Sequence, residues 1–334
     1  MKTAVIILNW NGEKLLREFL PAVIANTNPE LGKVIVADNG SDDGSLELLR
    51  TEFPEVEVWR FDKNYGFAEG YNKAIAMATG YEYSVLLNSD VAPAAGWLDA
   101  LTAFMDANPK VGACQPKVLS YTNKAIFEYA GACGGMLDKH GYGYCRGRVF
   151  DVCETDEGQY DEPMSIFWAT GAALMIRTQV YIKAGGLDAQ FFAHWEEIDL
   201  CWRVLLMGYD IMAVPQAVVY HLGGGSLPAS NPRKTYLNFR NHLLTLHKNL
   251  PDSTRKRKLI VRRLLDTVAW AKFMATFDFA NANAVLRAHR DFAKMRKAYT
   301  SHPDVDLLDQ RSDTHIDILV SRYLRGIKKF SELF

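Results

Sequence analysis

The sequence predicts an α/β fold: a Rossmann-like, mainly parallel sheet with helices on both faces, followed by a helical carboxyl-terminal extension. Three observations point to it. Over the first hundred residues, apolar runs of strand length alternate with segments whose apolar residues recur at helical spacing. Each strand-like run ends in a loop of Asn, Asp and Gly. Past Pro251 the alternation stops and the pattern reads as helical throughout to Phe334, which places a catalytic-sized domain at 1–250 and an extension at 251–334.

The elements follow in order. TAVIIL (3–8) is a continuous apolar run, and Leu15, Leu16, Phe19, Leu20, Val23 and Ile24 then mark one face of a helix. VIVA (34–37) is a second strand, and Ser45–Glu52 reads as a helix after the turn DNGSDDG. VEVWRF (56–61) reads as a strand, Ala68–Ala78 as a helix and YSVLLN (83–88) as a buried strand. Strands alternating with helices at this spacing require right-handed crossovers, hence parallel pairing with helices on both sides. From about Gly112 to Phe167 the glycines suggest loops with short antiparallel strands. FWATGAALMIRTQVYIKAGGLD then restores order as a buried strand, a short helix and a Gly-Gly turn.

Composition narrows the function. A chain of 334 residues, 49% of them hydrophobic, buries a large core, and a net charge of -1 gives no overall attraction to nucleic acid. Five cysteines, without a CxxC pair and with no signal peptide before TAVIIL, suggest free thiols in a reducing cytoplasm. Cys133, His140, Cys145 and Cys153 match no standard zinc spacing. GxGxxG and GxxxxGK[ST] are both absent, which disfavours a dinucleotide oxidoreductase and a P-loop phosphotransferase.

In a parallel α/β sheet, ligands bind beyond the carboxyl ends of the strands. Polar residues gather there four times: Asn9-Trp10-Asn11, Asp38-Asn39, Asn64 with Gly66, and Asn88-Ser89-Asp90. Turns favour the same residue types, so the information lies in four such loops at one edge. A second concentration is HWEEIDLCWR, where Glu196, Glu197 and Asp199 crowd among Phe191, Phe192, Trp195 and Trp202. A helix beginning there would welcome acids at its positive end, and Asp199 with Arg203, four residues on, fits an ion pair.

The ordered set LNWNG, VADNGSDDGS, NYGFAEGYNKAI, LLNSDV, WATGAALMIR and GGLDAQFFAHWEEIDLCWRVLLMGY resembles the family-2 glycosyltransferases, in particular their rhamnosyltransferase-like branch, over residues 3 to about 250. The resemblance implies a GT-A fold, a nucleotide-diphosphate sugar donor such as dTDP-rhamnose or a UDP-hexose, Mg²⁺ or Mn²⁺, and inversion at the anomeric carbon. The acceptor it implies is a cell-surface glycan or a lipid-linked sugar.

Carried onto this chain, the resemblance makes Asn9, Trp10, Asn11, Asp38, Asn64, Gly66, Asn72, Asn88, Ser89 and Arg240 the nucleotide-sugar set, with Asp38 reading the base or ribose. Asp90 and His221 become the metal ligands, and Asn88 stands where the DxD-like motif has its first acid. The second member of the acidic pair, Glu197, becomes the catalytic base, with Glu196 and Asp199 as alternates. Gly223–Gly225 and Ser226 would close over the diphosphate. Missing from LNWNGEKLL is the Gly-rich, Arg- and Lys-bearing loop of a sugar nucleotidyltransferase. A non-catalytic nucleotide-sugar or glycan-binding protein is the other reading, because Asn88 and Glu197 both depart from the commonest pattern.

The extension carries RKRKLIVRR, Arg255–Arg263, with six basic residues of nine and an apolar set from Leu259 to Trp270. Such a helix either lies on an anionic leaflet, placing the protein peripherally on the inner face of the plasma membrane, or docks on the catalytic domain with its charges solvated.

Overall fold

The computed structural model describes residues 1–223 and 231–334. Strand β1 (Thr3–Asn9), α1 (Glu13–Asn26), β2 (Gly32–Asp38), α2 (Ser45–Glu52), β3 (Glu57–Arg60), α3 (Gly66–Met77) and β4 (Tyr83–Leu87) alternate as the pattern predicts. They pair in parallel in the order β3-β2-β1-β4. Register does the functional work: Asn9 lies opposite Asp38, and Asp38 opposite Arg60, so three polar strand ends share one edge.

The rest of the main sheet is mixed. After β5 (Val91–Pro93) and α4 (Trp97–Ala107) comes β6 (Val111–Ser120), a long buried strand hidden in the segment whose pattern is poorest. The short strands β7 (Gly135–Leu137), β8 (Gly143–Cys145), β9 (Arg148–Val149) and β10 (Val152–Cys153) form a separate antiparallel sheet. Next come β11 (Met164–Ser165), β12 (Ala173–Arg177), α5 (Thr178–Lys183), α6 (Glu196–Leu206) and β13 (Asp210–His221). Strand β12 runs antiparallel between β4 and β6, while β13 lies parallel to β6 and carries β5 and β11 antiparallel.

Alternation along β1 feeds two cores. Val5 and Ile7 join Leu16, Leu20, Leu48 and Leu101 under α1, α2 and α4. Ala4 and Ile6 face the other way, into the core that holds Tyr71, Tyr181 and Trp202 of α3, α5 and α6.

Helix α7 (Pro232–Asn249) closes the first domain, and the extension begins with α8 (Asp252–Ala275) and α9 (Phe279–Met295), which lean on α7. The helical expectation fails beyond residue 298, where only α10 (Leu307–Gln310) and α11 (Ile318–Tyr323) form α-helix. Pro303 and scattered acids break the period there. Single apolar residues, Leu308, Ile318 and Phe330, plug into the core that also holds Tyr71, Tyr181 and Trp202. Asp138, buried and pushed up to about 7 by that burial, accepts from the Ile318 N–H at 3.1 Å. The segment 251–334 is thus folded onto the first domain. Among the described residues no helix is long and apolar enough to cross a membrane.

Candidate active site

At the β1–β2 edge, Asp38 is fully buried and accepts from the Asn9 amide and the Ser41 backbone N–H, both at 3.0 Å. Asn9 Oδ1 is buried without a partner. Gly12 must lack a side chain, because a Cβ there would stand 2.3 Å from that oxygen. Asn11, at φ 50°, locks the loops together through Asp42 at 2.6 Å, while Trp10 is left 56% exposed at the rim. Asn39, noted at the second strand end but outside the expected nucleotide-sugar set, ties in the third loop. Asn39 donates to Asn64 Oδ1 at 3.1 Å and to the Gly66 carbonyl at 3.0 Å, and accepts from the Tyr65 N–H at 3.0 Å. Gly66 takes φ 78°, which glycine adopts without strain. Beside Asp38 a cavity of about 350 Å³ is lined by Gly40, Ser41, Arg60, Phe61 and Asp62. Arg60 and Phe61 belong to a stretch legible only as a strand.

Asp90 follows β4, and His221 is the last residue of β13. The antiparallel pairing of β13 with β5 sets His221 opposite Val91, which brings its Nε2 to 3.1 Å from Asp90 Oδ1. Its Nδ1 lies 3.0 Å from Glu128 Oε2, a residue with no sequence signal in the Gly-rich region. Gly223, at φ 68°, permits this approach, since a Cβ would stand 2.6 Å from Glu128 Oε1. Burial opposes a charge on His221, but hydrogen bonds to Asp90 and Glu128 outweigh it and push the imidazole up to about 9. Asp90, His221 and Glu128 meet through hydrogen bonds, and among the described residues no three His, Cys, Asp or Glu side chains are arranged to ligate one metal ion together. The donor set is therefore one carboxylate and one imidazole backed by a second carboxylate. That chemistry fits a hard divalent cation completing its shell with water and phosphate oxygens. Asn88 and Ser89 lie half-buried beside Asp90, with the Asn88 N–H bonded to the Ala172 carbonyl at 3.0 Å. Of the glycine-rich segment expected to close over a diphosphate, Gly224, Gly225 and Ser226 lie outside the described residues.

The acidic segment opens α6. Phe192, His194 and Trp195 precede it at φ 67°, 68° and 76°, a left-handed run costing about 1–3 kcal/mol per residue unless held. Two residues of α7 hold it. Asn241 donates to the carbonyls of Phe191, Ala193 and His194 at 3.0, 2.9 and 2.7 Å. Arg240, expected near the diphosphate, instead donates to the carbonyls of Gln190 and Phe191 at 3.1 and 2.8 Å. Trp195 stacks on His242 with centroids 4.2 Å apart.

The three carboxylates then separate. Asp199 is fully buried and bound by Arg203 at 2.8 Å, Lys248 at 2.9 Å and Asn249 at 2.8 Å. These partners overcome its burial and hold it below the usual carboxylate range. Glu196 and Glu197 each keep one buried oxygen without a partner. Burial pushes both carboxyls up, and the charge of Glu197 adds to the effect on Glu196. Glu196 is buried, whereas Glu197 is half-buried and takes a backbone hydrogen bond from Gly171. A Cβ at Gly171 would touch both Phe67 and Glu197, placing Glu197 beside the start of α3 and the end of β4. Asn72 lies apart from the strand-end loops, accepting from Tyr181 at 2.7 Å and the Leu187 N–H at 2.9 Å and so fixing the Gly-Gly turn.

Comparisons with known proteins agree with this architecture. The family model described as Glycosyl transferase family 2 matches residues 4–141. An N-acetylglucosaminyl-diphospho-decaprenol L-rhamnosyltransferase of Mycobacterium tuberculosis (strain ATCC 25618 / H37Rv) is 24% identical over 232 residues, 65% of this chain and 75% of its own length. Rhamnosyltransferase WbbL of Escherichia coli (strain K12) is 22% identical over 273 residues, 79% of this chain and 97% of its own. Among solved structures, S. aureus TarS 1-349 in complex with UDP-GlcNAc superposes with a TM-score of 0.58 at 16% identity, over 90% of this chain and 84% of that one. GalNAc-T7 with UDP, GalNAc and Mn²⁺ superposes at 0.57 and 16% identity, over 75% of this chain and 48% of that one. The strand-end loops and the acidic helix start are assembled on this sheet, residues 4–141 match the family-2 glycosyl transferase model, and the chain is a glycosyltransferase of GT-A fold.

Proposed function

We propose that the chain transfers a sugar, with inversion, from a nucleoside diphosphate donor to a hydroxyl of a cell-surface or lipid-linked glycan. The observation that carries this reading is Glu197, a carboxyl with an unpartnered oxygen and raised proton affinity set against Gly171, one residue before the Ala172 carbonyl that holds Asn88. A base of this kind accepts the proton of the attacking hydroxyl. Asp38 and the cavity at Arg60 and Phe61 offer a carboxylate for a pyrimidine N3–H and a ring for stacking. Asp90 and His221 would hold Mg²⁺ or Mn²⁺, whose charge stabilises the departing diphosphate, and Glu128 would fix the imidazole that faces it. The names of the relatives favour dTDP-rhamnose as donor, and the TarS complex makes UDP-hexoses the alternative. A lipid-linked acceptor would place the work at the cytoplasmic face of the plasma membrane.

Calorimetric titration of UDP, dTDP and GDP, with and without Mn²⁺ or Mg²⁺ and alongside Asp90→Asn, tests the donor site. Metal-dependent binding of one nucleotide, lost in the variant, is expected. Binding by none would refute the reading, and binding without turnover on any acceptor would favour a non-catalytic nucleotide-sugar binder.

A further inference from the structure

The α8–α9 hairpin is unlike the rest of the molecule. Residues 252–298 carry twelve Lys and Arg against four Asp, a surplus of eight in a chain whose net charge is -1. The acids among them are engaged within the fold. Asp266 is buried against Arg262 at 2.7 Å and His289 at 2.9 Å, Asp278 caps α9, and Asp291 accepts from Tyr236 at 3.0 Å. Asp252, at the far end from the hairpin tip, pairs with Arg255. Lys256, Arg263, Lys272, Arg287 and Lys294 remain exposed on the outer faces.

Apolar side chains interleave with these cations, and they emerge further toward the tip. Ile260, Leu264 and Val268, one helical turn apart, are 49%, 64% and 69% exposed, and Phe277 at the turn is 79% exposed, with Phe279 at 57%. Phe277 also sits at φ 58°, an uncommon backbone for a bulky residue, in order to point outward. Its ring meets Phe279 edge-on at 6.2 Å. A hydrated surface gains nothing from two adjacent exposed aromatics, whereas an interfacial one does.

The tip lies on the active-site side. Thr235, in the first turn of α7, contacts Asn281, in the first turn of α9, at 2.5 Å. At that same end of α7, Arg233 lies over the Phe192 ring at 4.8 Å, and Lys234 is near enough to feel the charge of Glu128.

We propose that the α8–α9 hairpin docks on an anionic lipid leaflet, with Phe277 and Phe279 entering the headgroup boundary and the flanking cations meeting the lipid charge. The docked tip holds the active-site mouth at the membrane surface, where a lipid-linked acceptor presents its sugar. This last consequence rests on the acceptor reading above; the docking itself does not.

The test is co-flotation of the full chain with phosphatidylcholine vesicles, with and without phosphatidylglycerol. Binding is expected only with the anionic lipid and to weaken with salt. Phe277→Ser with Phe279→Ser should weaken it about tenfold or more, and each of Lys272→Glu and Arg263→Glu about fivefold or more. Thermal unfolding should be unchanged, since all four side chains are exposed. No binding to anionic vesicles, or full binding by the Phe double variant, would overturn the proposal. So would an oligonucleotide that binds as tightly as the vesicles regardless of the Phe changes. Vesicle binding without glycosylation of any lipid-linked sugar would leave docking standing and remove the acceptor reading instead.

Discussion

Within one turn of α6, two electrostatic environments meet. On the inner side, Asp199 sits among Arg203, Lys248 and Asn249, each donating to it. On the other side, Glu196 and Glu197 pair with no cation among the described residues, and each leaves a buried oxygen unpartnered. The three residues are chemically near-identical and all lie at the positive end of one helix. Their difference comes from Arg203 of α6 and from Lys248 and Asn249 of α7, all gathered on one side, so a helix dipole alone does not decide which acid is anchored and which is left open.

The largest effect should come from breaking the anchored side. Asp199→Ala removes the buried carboxylate that Lys248, Arg203 and Asn249 share, leaving Lys248 to Asp188 alone, and should cost about 3 kcal/mol, read as a lower urea midpoint. The open side should respond in rate rather than stability. Glu197→Gln should reduce turnover about a hundredfold or more while nucleotide binding by calorimetry stays intact. Near-normal turnover would move the base to Glu196.

The clamp that separates the two sides comes next. Asn241→Ala leaves the Ala193 and His194 carbonyls without their side-chain donor, while Phe191 keeps Arg240, and should cost about 2 kcal/mol. It should also lower kcat with little change in donor affinity, which a purely structural loss would not produce. Behind the cation site, Glu128→Gln weakens the hold on His221 and should reduce Mn²⁺ affinity about tenfold, measured by titration without substrate.

The smallest effect is a contrast in pH. Asp199 is depressed, so its stabilisation is present above the unfolded carboxylate range near 3.8 and disappears as pH falls through its folded value. Glu196 is raised, so its contribution is full below about 4.5 and is lost as pH rises through its folded value. Glu196→Gln should therefore flatten the decline in stability above pH 4.5 and change little below it. The acid limb of kcat/KM should likewise lie above 4.5, reporting the raised carboxyl.

Much of this was legible in one dimension. Strand and helix periods from Thr3 to Leu87 are local, because a run such as VIIL or a face such as Leu16, Phe19, Leu20 and Val23 carries its own burial instruction. The polar strand ends followed from parallel pairing, which aligns carboxyl ends by necessity. Beyond that edge the signal thinned. Strand β6 was hidden because a strand buried on both faces shows no alternation, and the short helices after residue 298 lack the length for a periodic signature.

The sequence by itself determined the α/β class, the edge where ligands gather and the clustering of acids at Glu196, Glu197 and Asp199. Only the tertiary structure decided their roles. Arg240, Asn241 and Lys248 lie some fifty residues away along the chain and reach the segment only when α7 folds against it. Glu128 meets His221 only through the β6, β5 and β13 register. The physical reason is that a carboxylate's proton affinity is set by its neighbours in space: Arg203, one turn on, was visible in the sequence, but Lys248 and Asn249, which complete the Asp199 site, are distant along the chain.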